Sequence, residues 1–423
     1  MSSMSTRRSS TDGLPLISLQ PGKHRALLLS IAACAGMFVF GIVMALLGAV
    51  LPSLMGRLHL NTSDIGTLFL AMNAAMLASS LLFGVVMDRF GMKSPLVLGP
   101  WLVAIALGIV ARATDLSALL FAASLLGIGG GALNGATNTL IADLHEDPRN
   151  KSAALNRLGI FFGFGALFLP FALGALLRWL APTLLLIDAA VLCAAVGIFA
   201  SVLRFPVPKQ RQAVRISGMA GFLRTPLVIA LACLLFFESG VEFTLGGFIS
   251  TYLMQDIAVA SVSLASWILA AYWASIMIAR GVMSHIALGA DPYRILAFCS
   301  LGACIGSILA VLAPTVAVAA IAIVFSGCSL AGIYPAALGI AGSRFESHSG
   351  TVFGLLLAVA LAGGMTLPWL AGHIGNGYSL RWVFAMTAIS FVAVLLFSRV
   401  AAHVDAARLP GGPATALFHG DGV

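Results

Sequence analysis

Two carboxylates lie one helical turn apart inside a long apolar stretch of this chain. Glu238 and Glu242 are the charged residues of the run from Pro226 to Leu253. Residues at i and i+4 share one face of a helix, so the two negative charges would repel each other, and one carboxyl group is expected to keep its proton. The sequence therefore predicts a proton-carrying pair near the middle of the run, with Glu242 as the preferred carrier and Glu238 supporting it.

Two other ionisable residues, Asp188 and Arg280, lie inside other apolar runs. An isolated charge in hydrocarbon costs at least about 2.5–3.5 kcal/mol, so each requires a polar partner, a water-filled cavity or protonation. At about 1.5 Å per helical residue, both fall within about two turns of the ends of their runs. We therefore interpret both as interfacial or snorkelling charges.

Polar and aromatic residues inside the apolar runs could contact a solute. Asn134 and Asn138 share a helix face, and their amides suit either the hydroxyl groups of a solute or hydrogen bonds between helices. Aromatic rings could stack on a ring-shaped solute or pack within a helix bundle. The sequence has no recognisable catalytic dyad, metal-ligand spacing or nucleotide-binding loop. We therefore expect a protein that is not an enzyme and that needs no cofactor. The aromatic candidates are Tyr272, Trp273, Tyr334 and Trp369.

The elements that would position these residues are membrane-spanning helices. Hydrophobic residues make up 60% of the chain and charged residues 9%, which is typical of an integral membrane protein. Hydrophobic runs of bilayer length predict an all-α membrane protein with twelve spans. The predicted spans are Ala26–Leu51, Ile65–Met87, Pro95–Ala113, Leu116–Ala142, Ala153–Leu177, Pro182–Leu203, Pro226–Leu253, Ser263–Met283, Ile295–Ala313, Val316–Gly342, Gly350–Ile374 and Arg381–Ser398.

An internal repeat divides the predicted spans into two pseudo-symmetric halves of six helices, residues 26–203 and 226–400. Between them, a basic segment at 204–225 reads as a linker, and residues 1–25 and 401–423 read as cytoplasmic tails, the first of them disordered. Parallel six-helix repeats are typical of transporters that alternate around a central site. A shift of 198 places Gly165 on Gly363, Leu169 on Leu367, Pro170 on Pro368 and Gly174 on Gly372.

Lysine and arginine residues predict the orientation of the spans. Short loops on one side of the predicted bilayer carry most of them, and such loops stay in the cytoplasm. We therefore expect a multi-pass protein of the inner or plasma membrane with both termini in the cytoplasm. The formal charge of +8 then reflects topology, and nucleic acid is not expected as a partner.

A short charged turn between the second and third spans carries a family resemblance. Its pattern, Gly-x-x-x-Asp-Arg-x-Gly-x-Lys, resembles the corresponding loop of the major facilitator superfamily, and only Ser94 departs from that loop. The resemblance covers about residues 26 to 400. It implies a transporter in which this loop latches one conformation. The matching residues are Gly84, Asp88, Arg89, Gly91 and Lys93.

Within that superfamily, the segments Gly131–Leu144 and Glu238–Leu253 resemble the fucose-permease-like sugar–proton symporters. Gly48, Asn134 and Gly159 stand where members of that group carry titratable residues. The resemblance therefore implies import of a sugar with protons, carried by a group elsewhere in the chain, or facilitated transport without protons. A small solute, protons and the lipid bilayer are the expected partners. Two alternatives remain open, which are a proton-driven efflux pump and a membrane sensor that transports nothing.

Overall fold

The computed structural model describes residues 23–145, 148–206, 222, 224–259, 261–286, 289–345 and 349–407. Within these residues the chain is all-helical and has twelve helical segments long and apolar enough to span a membrane, which confirms the predicted fold class. The predicted linker and tails lie largely outside the described residues. The helices are α1 (Lys23–Leu58), α2 (Thr62–Phe90), α3 (Lys93–Arg112), α4 (Leu116–Leu144), α5 (Pro148–Leu176), α6 (Pro182–Val202), α7 (Pro226–Gln255), α8 (Val262–Ile286), α9 (Pro292–Leu312), α10 (Val316–Leu330), α11 (Ile333–Arg344), α12 (Ser349–Gly377) and α13 (Arg381–Ala406).

The last helix is longer than the sequence predicts. We expected it to end at Ser398, before the charged residues, but α13 continues to Ala406. Asp405 is buried there, and its Oδ1 lies 2.9 Å from Nε of Arg344 at the end of α11. Hydropathy predicts only the apolar part of a helix. The ion pair stabilises the polar turns that extend α13 beyond that part.

The tenth span is broken, although the sequence predicts one helix over Val316–Gly342. It consists of α10 and α11, which are separated by a turn at Ala331 and Gly332. Pro335 explains the break, because it has no N–H to donate to the carbonyl of Ala331 and its ring would clash with that carbonyl. The break places Tyr334 in the first turn of α11.

Helix packing reproduces the internal repeat. A Cβ atom on Gly165 of α5 would collide with the carbonyl of Phe38 in α1, and one on Gly363 of α12 would collide with the carbonyl of Phe236 in α7. Phe38 and Phe236 are separated by the same 198 residues as Gly165 and Gly363. Because small residues allow membrane helices to pack this closely, both halves contain the same helix crossing.

The two halves are in contact at one end of the bundle. We call this end, where α1 ends and α2 begins, the loop face, and the opposite end, where α1 begins and α13 ends, the terminal face. On the loop-face side, Gly48 of α1 lies against the carbonyl of Gly246 in α7. Gly66 of α2 likewise lies against the carbonyls of Pro368 and Trp369 in α12. The helix backbones therefore close the loop face.

The halves diverge towards the terminal face. Gly163 of α5 packs on Met277 of α8, so that a Cβ atom there would lie 2.7 Å from the methionine side chain. One turn nearer the terminal face, neither Gly159 of α5 nor Gly281 of α8 has an atom within 4 Å of its Cβ position. The space between α5 and α8 therefore widens from the loop face to the terminal face.

Candidate functional site

A polar cluster lies inside the half that contains α7 to α13. The i and i+4 spacing on α7 places both predicted carboxylates, Glu238 and Glu242, beside α8. Oε1 of Glu242 accepts a hydrogen bond of 3.1 Å from Nη2 of Arg280 in α8, so that the two form an ion pair. The hydroxyl groups of Tyr272 in α8 and Tyr334 in α11 lie within electrostatic reach of both carboxylates. The structure thus brings four of the predicted residues together with Arg280.

Glu238 is the unusual member of the cluster. It is 0% exposed, and neither carboxylate oxygen has a hydrogen-bond partner among the described residues. A buried ionised carboxylate without a partner is strongly unfavourable, whereas the neutral acid has no charge to solvate. Glu242, by contrast, has the guanidinium of Arg280 as its counter-charge. The surroundings therefore suit Glu238, more than Glu242, to hold a transferable proton.

Arg280 connects the two halves, a role that we did not infer from the sequence. Its guanidinium carbon lies 5.7 Å from the ring centroid of Phe162 in α5, and that ring in turn packs on Phe40 of α1. The backbone of Arg280 lies near the end of its span, but an arginine side chain is long enough to reach a partner deeper in the bundle. A signal was nevertheless present, since a carboxylate in a membrane requires a counter-charge and Arg280 lies inside an apolar run.

The two remaining predicted aromatic residues, Trp273 and Trp369, have different surroundings. Trp273 is buried on α8 and packs on Gly246 of α7, where a Cβ atom would lie 2.9 Å from the indole. Trp369 on α12 is 39% exposed, and its ring centroid lies 4.3 Å from that of His373 on the same helix. The ring of Trp273 also packs edge-on against that of Tyr272 in the polar cluster, with the ring centroids 5.5 Å apart, whereas no contact among the described residues joins Trp369 to the cluster.

The predicted asparagine pair lies in the other half, on α4. Nδ2 of Asn138 donates hydrogen bonds to the backbone carbonyl of Asn134, at 2.9 Å, and to Oδ1 of Asn134, at 3.0 Å. Both side chains are only partly buried. These bonds are internal to the helix, and among the described residues neither Nδ2 of Asn134 nor Oδ1 of Asn138 has a hydrogen-bond partner.

The charged turn between α2 and α3 has the predicted location. Gly91 ends α2 with a positive φ of 74°, and its N–H donates to the carbonyl of Met87 at 2.8 Å. Glycine suits this position because it adopts positive φ without steric cost. The guanidinium carbon of Arg89 lies 5.6 Å from the ring centroid of Phe90, and Lys93 begins α3. The surroundings of Gly84 and of the Asp88 side chain lie outside what the structure describes.

Several known proteins resemble this chain. "Bypass of stop codon protein 6" of Saccharomyces cerevisiae is 22% identical over 91% of this chain and 82% of its own length. The glucose/mannose transporter GlcP of Bacillus subtilis is 23% identical over 85% of this chain and 90% of its own length.

Solved structures share the fold. The nucleoside transporter NupG has a TM-score of 0.72 at 15% identity, covering 89% of this chain and 98% of its own. A bacterial homologue of the human lysosomal transporter Spinster, inward-facing and unoccupied, has a TM-score of 0.73 at 16% identity, covering 91% and 98%. FucP in its outward conformation has a TM-score of 0.61 at 16% identity, covering 89% and 99%.

The family is shown by a model that spans nearly the whole chain. The Major Facilitator Superfamily model matches residues 33–252 and 231–417, which together include both halves of the bundle. The match agrees with the twelve spans, the repeated helix crossings and the charged turn after α2. The protein is therefore a membrane transporter rather than an enzyme, and the chain belongs to the Major Facilitator Superfamily.

Proposed function

We propose that this transporter imports a small neutral sugar together with a proton by alternating access between the two faces of the bundle. Proton coupling is supported by Glu238, a buried carboxyl group that has no hydrogen-bond partner among the described residues and lies beside the ion pair of Glu242 and Arg280. The sugar is suggested by the likeness to the glucose/mannose transporter and by the amides of Asn134 and Asn138. With the terminal face in the cytoplasm, as the basic loops predict, the structure corresponds to an inward-facing state.

The charge balance of the cluster favours a neutral solute. With a proton on Glu238, the cluster carries the opposite charges of Glu242 and Arg280 and no net charge. Loss of that proton leaves one unbalanced negative charge among buried groups, which is costly in a membrane. A neutral sugar can bind and leave without disturbing this balance, and Tyr334, beside the break between α10 and α11, can contact it.

The first experiment identifies the solute. A ligand that binds the folded protein raises its apparent stability, so thermal unfolding of the purified protein is measured with D-glucose, D-mannose, nucleosides and hydrophobic drugs. Uptake of the stabilising sugar into proteoliposomes should acidify their interior. Stabilisation by drugs alone, with drug resistance in an overexpressing strain, would instead support the efflux pump. Aromatic residues in the bundle, such as Tyr272 and Trp273, would also suit a hydrophobic drug.

Asn134→Ala is expected to weaken binding of the stabilising sugar by about 1–3 kcal/mol, because a hydrogen bond would be lost and its partner left unpaired. Isothermal titration measures the affinity. Ser124→Ala is the matched control, since that hydroxyl bonds to the carbonyl of Leu120 within α4. An unchanged affinity together with a lower melting temperature would give Asn134 a structural role only.

The turn after α2 is proposed as a conformational latch. Asp88→Asn removes a charge and little volume, so expression should stay near normal while the transport cycle slows several-fold. Transport rate and chemical labelling from each face of the membrane measure the effect. If both matched those of the parent protein, Asp88 would have no conformational role.

A further inference from the structure

One face of α2 forms a close-packed contact with the opposite half, which we call the α2 seam. Its residues, Thr62, Gly66, Phe69 and Asn73, recur at helical spacing and are all buried. The carbonyl of Thr62 lies where a Cβ atom on Gly372 of α12 would be placed, and the ring of Phe69 lies 2.4 Å from the Cβ position of Gly247 in α7. The seam therefore has little room for water.

Asn73 is poorly satisfied inside this seam. Its side chain is 0% exposed, and Nδ2 donates to the carbonyl of Phe69 at 3.0 Å, but Oδ1 accepts no hydrogen bond from any described residue. Across the seam, Oδ1 lies 3.1 Å from the Cβ position of Gly364 in α12, and the ring of Phe243 packs on the same glycine. Neither group supplies a free donor, so the oxygen loses its hydration and gains nothing in return.

The other end of the seam repeats the feature. Thr62 is 4% exposed, and its Oγ1 likewise has no hydrogen-bond partner among the described residues. It lies 3.3 Å from the Cβ position of Gly375 in α12. Two oxygens on one face of α2, which have no hydrogen-bond partner among the described residues, are therefore enclosed by the opposite half when the loop face is closed.

The corresponding contact between α5 and α8 has the opposite character. There the hydroxyl of Ser263 in α8 donates a hydrogen bond to the carbonyl of Gly174 in α5, across the two halves. This bond is lost if the loop face opens. The hydrogen bond of Ser263 thus stabilises the contact between α5 and α8. The unpaired oxygens of Thr62 and Asn73 destabilise the α2 seam.

We propose that Asn73 is a positioning residue that destabilises the closed loop face, and that Ser263 acts in opposition by stabilising it. Opening of the seam admits water to Oδ1 of Asn73 and removes its penalty, so this side chain shifts the population towards the open state. A transporter must visit both states, and neither may dominate by too large a factor. The proposal rests on alternating access but requires neither a sugar nor a proton.

Hydrogen–deuterium exchange of the full chain in lipid nanodiscs, without substrate or pH gradient, tests this assignment. Asn73→Leu replaces the amide with an apolar group of similar size, so exchange in the loop-face turns of α2 and α12 should slow by about tenfold, the ratio that corresponds to one unpaired acceptor. Ser263→Ala should instead speed exchange of the same peptides. Thr67→Val is the matched control, since its hydroxyl bonds to the carbonyl of Ser63 within α2.

Equal exchange in Asn73→Leu and the parent protein, or faster exchange in the variant, overturns the proposal. If Asn73→Leu does not fold, Thr62→Val removes the second unpaired oxygen and should also slow exchange. Because the readout contains no solute, failure of the proposed sugar or proton coupling leaves these outcomes unaffected.

Discussion

Glu238→Gln is expected to abolish accumulation of the sugar driven by a pH gradient, while exchange of labelled sugar across the membrane continues. Glutamine has nearly the same shape as the protonated acid, so the buried site at Glu238 should keep its packing. It cannot release a proton, and the sugar should therefore only equilibrate between the two compartments. Proteoliposomes assayed for gradient-driven uptake and for counterflow separate the two activities.

Glu242→Gln provides the matched comparison. This substitution leaves the guanidinium of Arg280 without its carboxylate. Both the melting temperature and the accumulation driven by the pH gradient should therefore fall. Full gradient-driven accumulation by Glu238→Gln would exclude Glu238 as the carrier. Failure of the parent protein itself to acidify the vesicles would instead identify a facilitator.

Arg280→Gln should lower stability more than any other single change in the cluster. Removal of one member of a buried ion pair costs about 3–5 kcal/mol, because the remaining charge stays buried without compensation. The side chain of Arg280 is 30% exposed, so we expect about 3 kcal/mol or less, together with loss of the contact with Phe162. Thermal or denaturant unfolding in one detergent gives the difference in free energy.

The double variant Glu242→Gln with Arg280→Gln is the control. It removes both charges together, so its stability should return towards that of the parent protein, with a coupling energy of about 0.5–3 kcal/mol. If the two single changes were simply additive, Glu242 and Arg280 would not act as a pair. Transport by the double variant then tests whether the pair serves the cycle or only the fold.

The spans could be predicted because hydropathy is a local property of the sequence, and the repeat because matching residues recur at one fixed offset along the chain. The break in the tenth span also had a local signal in Pro335, but an uninterrupted apolar run outweighed it. Pairing of Glu242 with Arg280 depends on how α7 and α8 pack, and no spacing encodes that. The unpaired oxygen of Asn73 could not be predicted for a related reason. The sequence does not show whether the opposite helix places a hydrogen-bond donor next to an asparagine in an apolar run.

The contact of Gly48 with the carbonyl of Gly246 limits which residues position 48 can hold while the loop face is closed. A Cβ atom at position 48 already overlaps that carbonyl, so an acidic side chain, which the fucose-permease-like group carries there, would force α1 and α7 apart. Position 48 therefore cannot hold a titratable side chain while α1 and α7 are in close contact. In this chain, where two glycine backbones meet at the loop face, the carboxylates Glu238 and Glu242 lie deeper along α7.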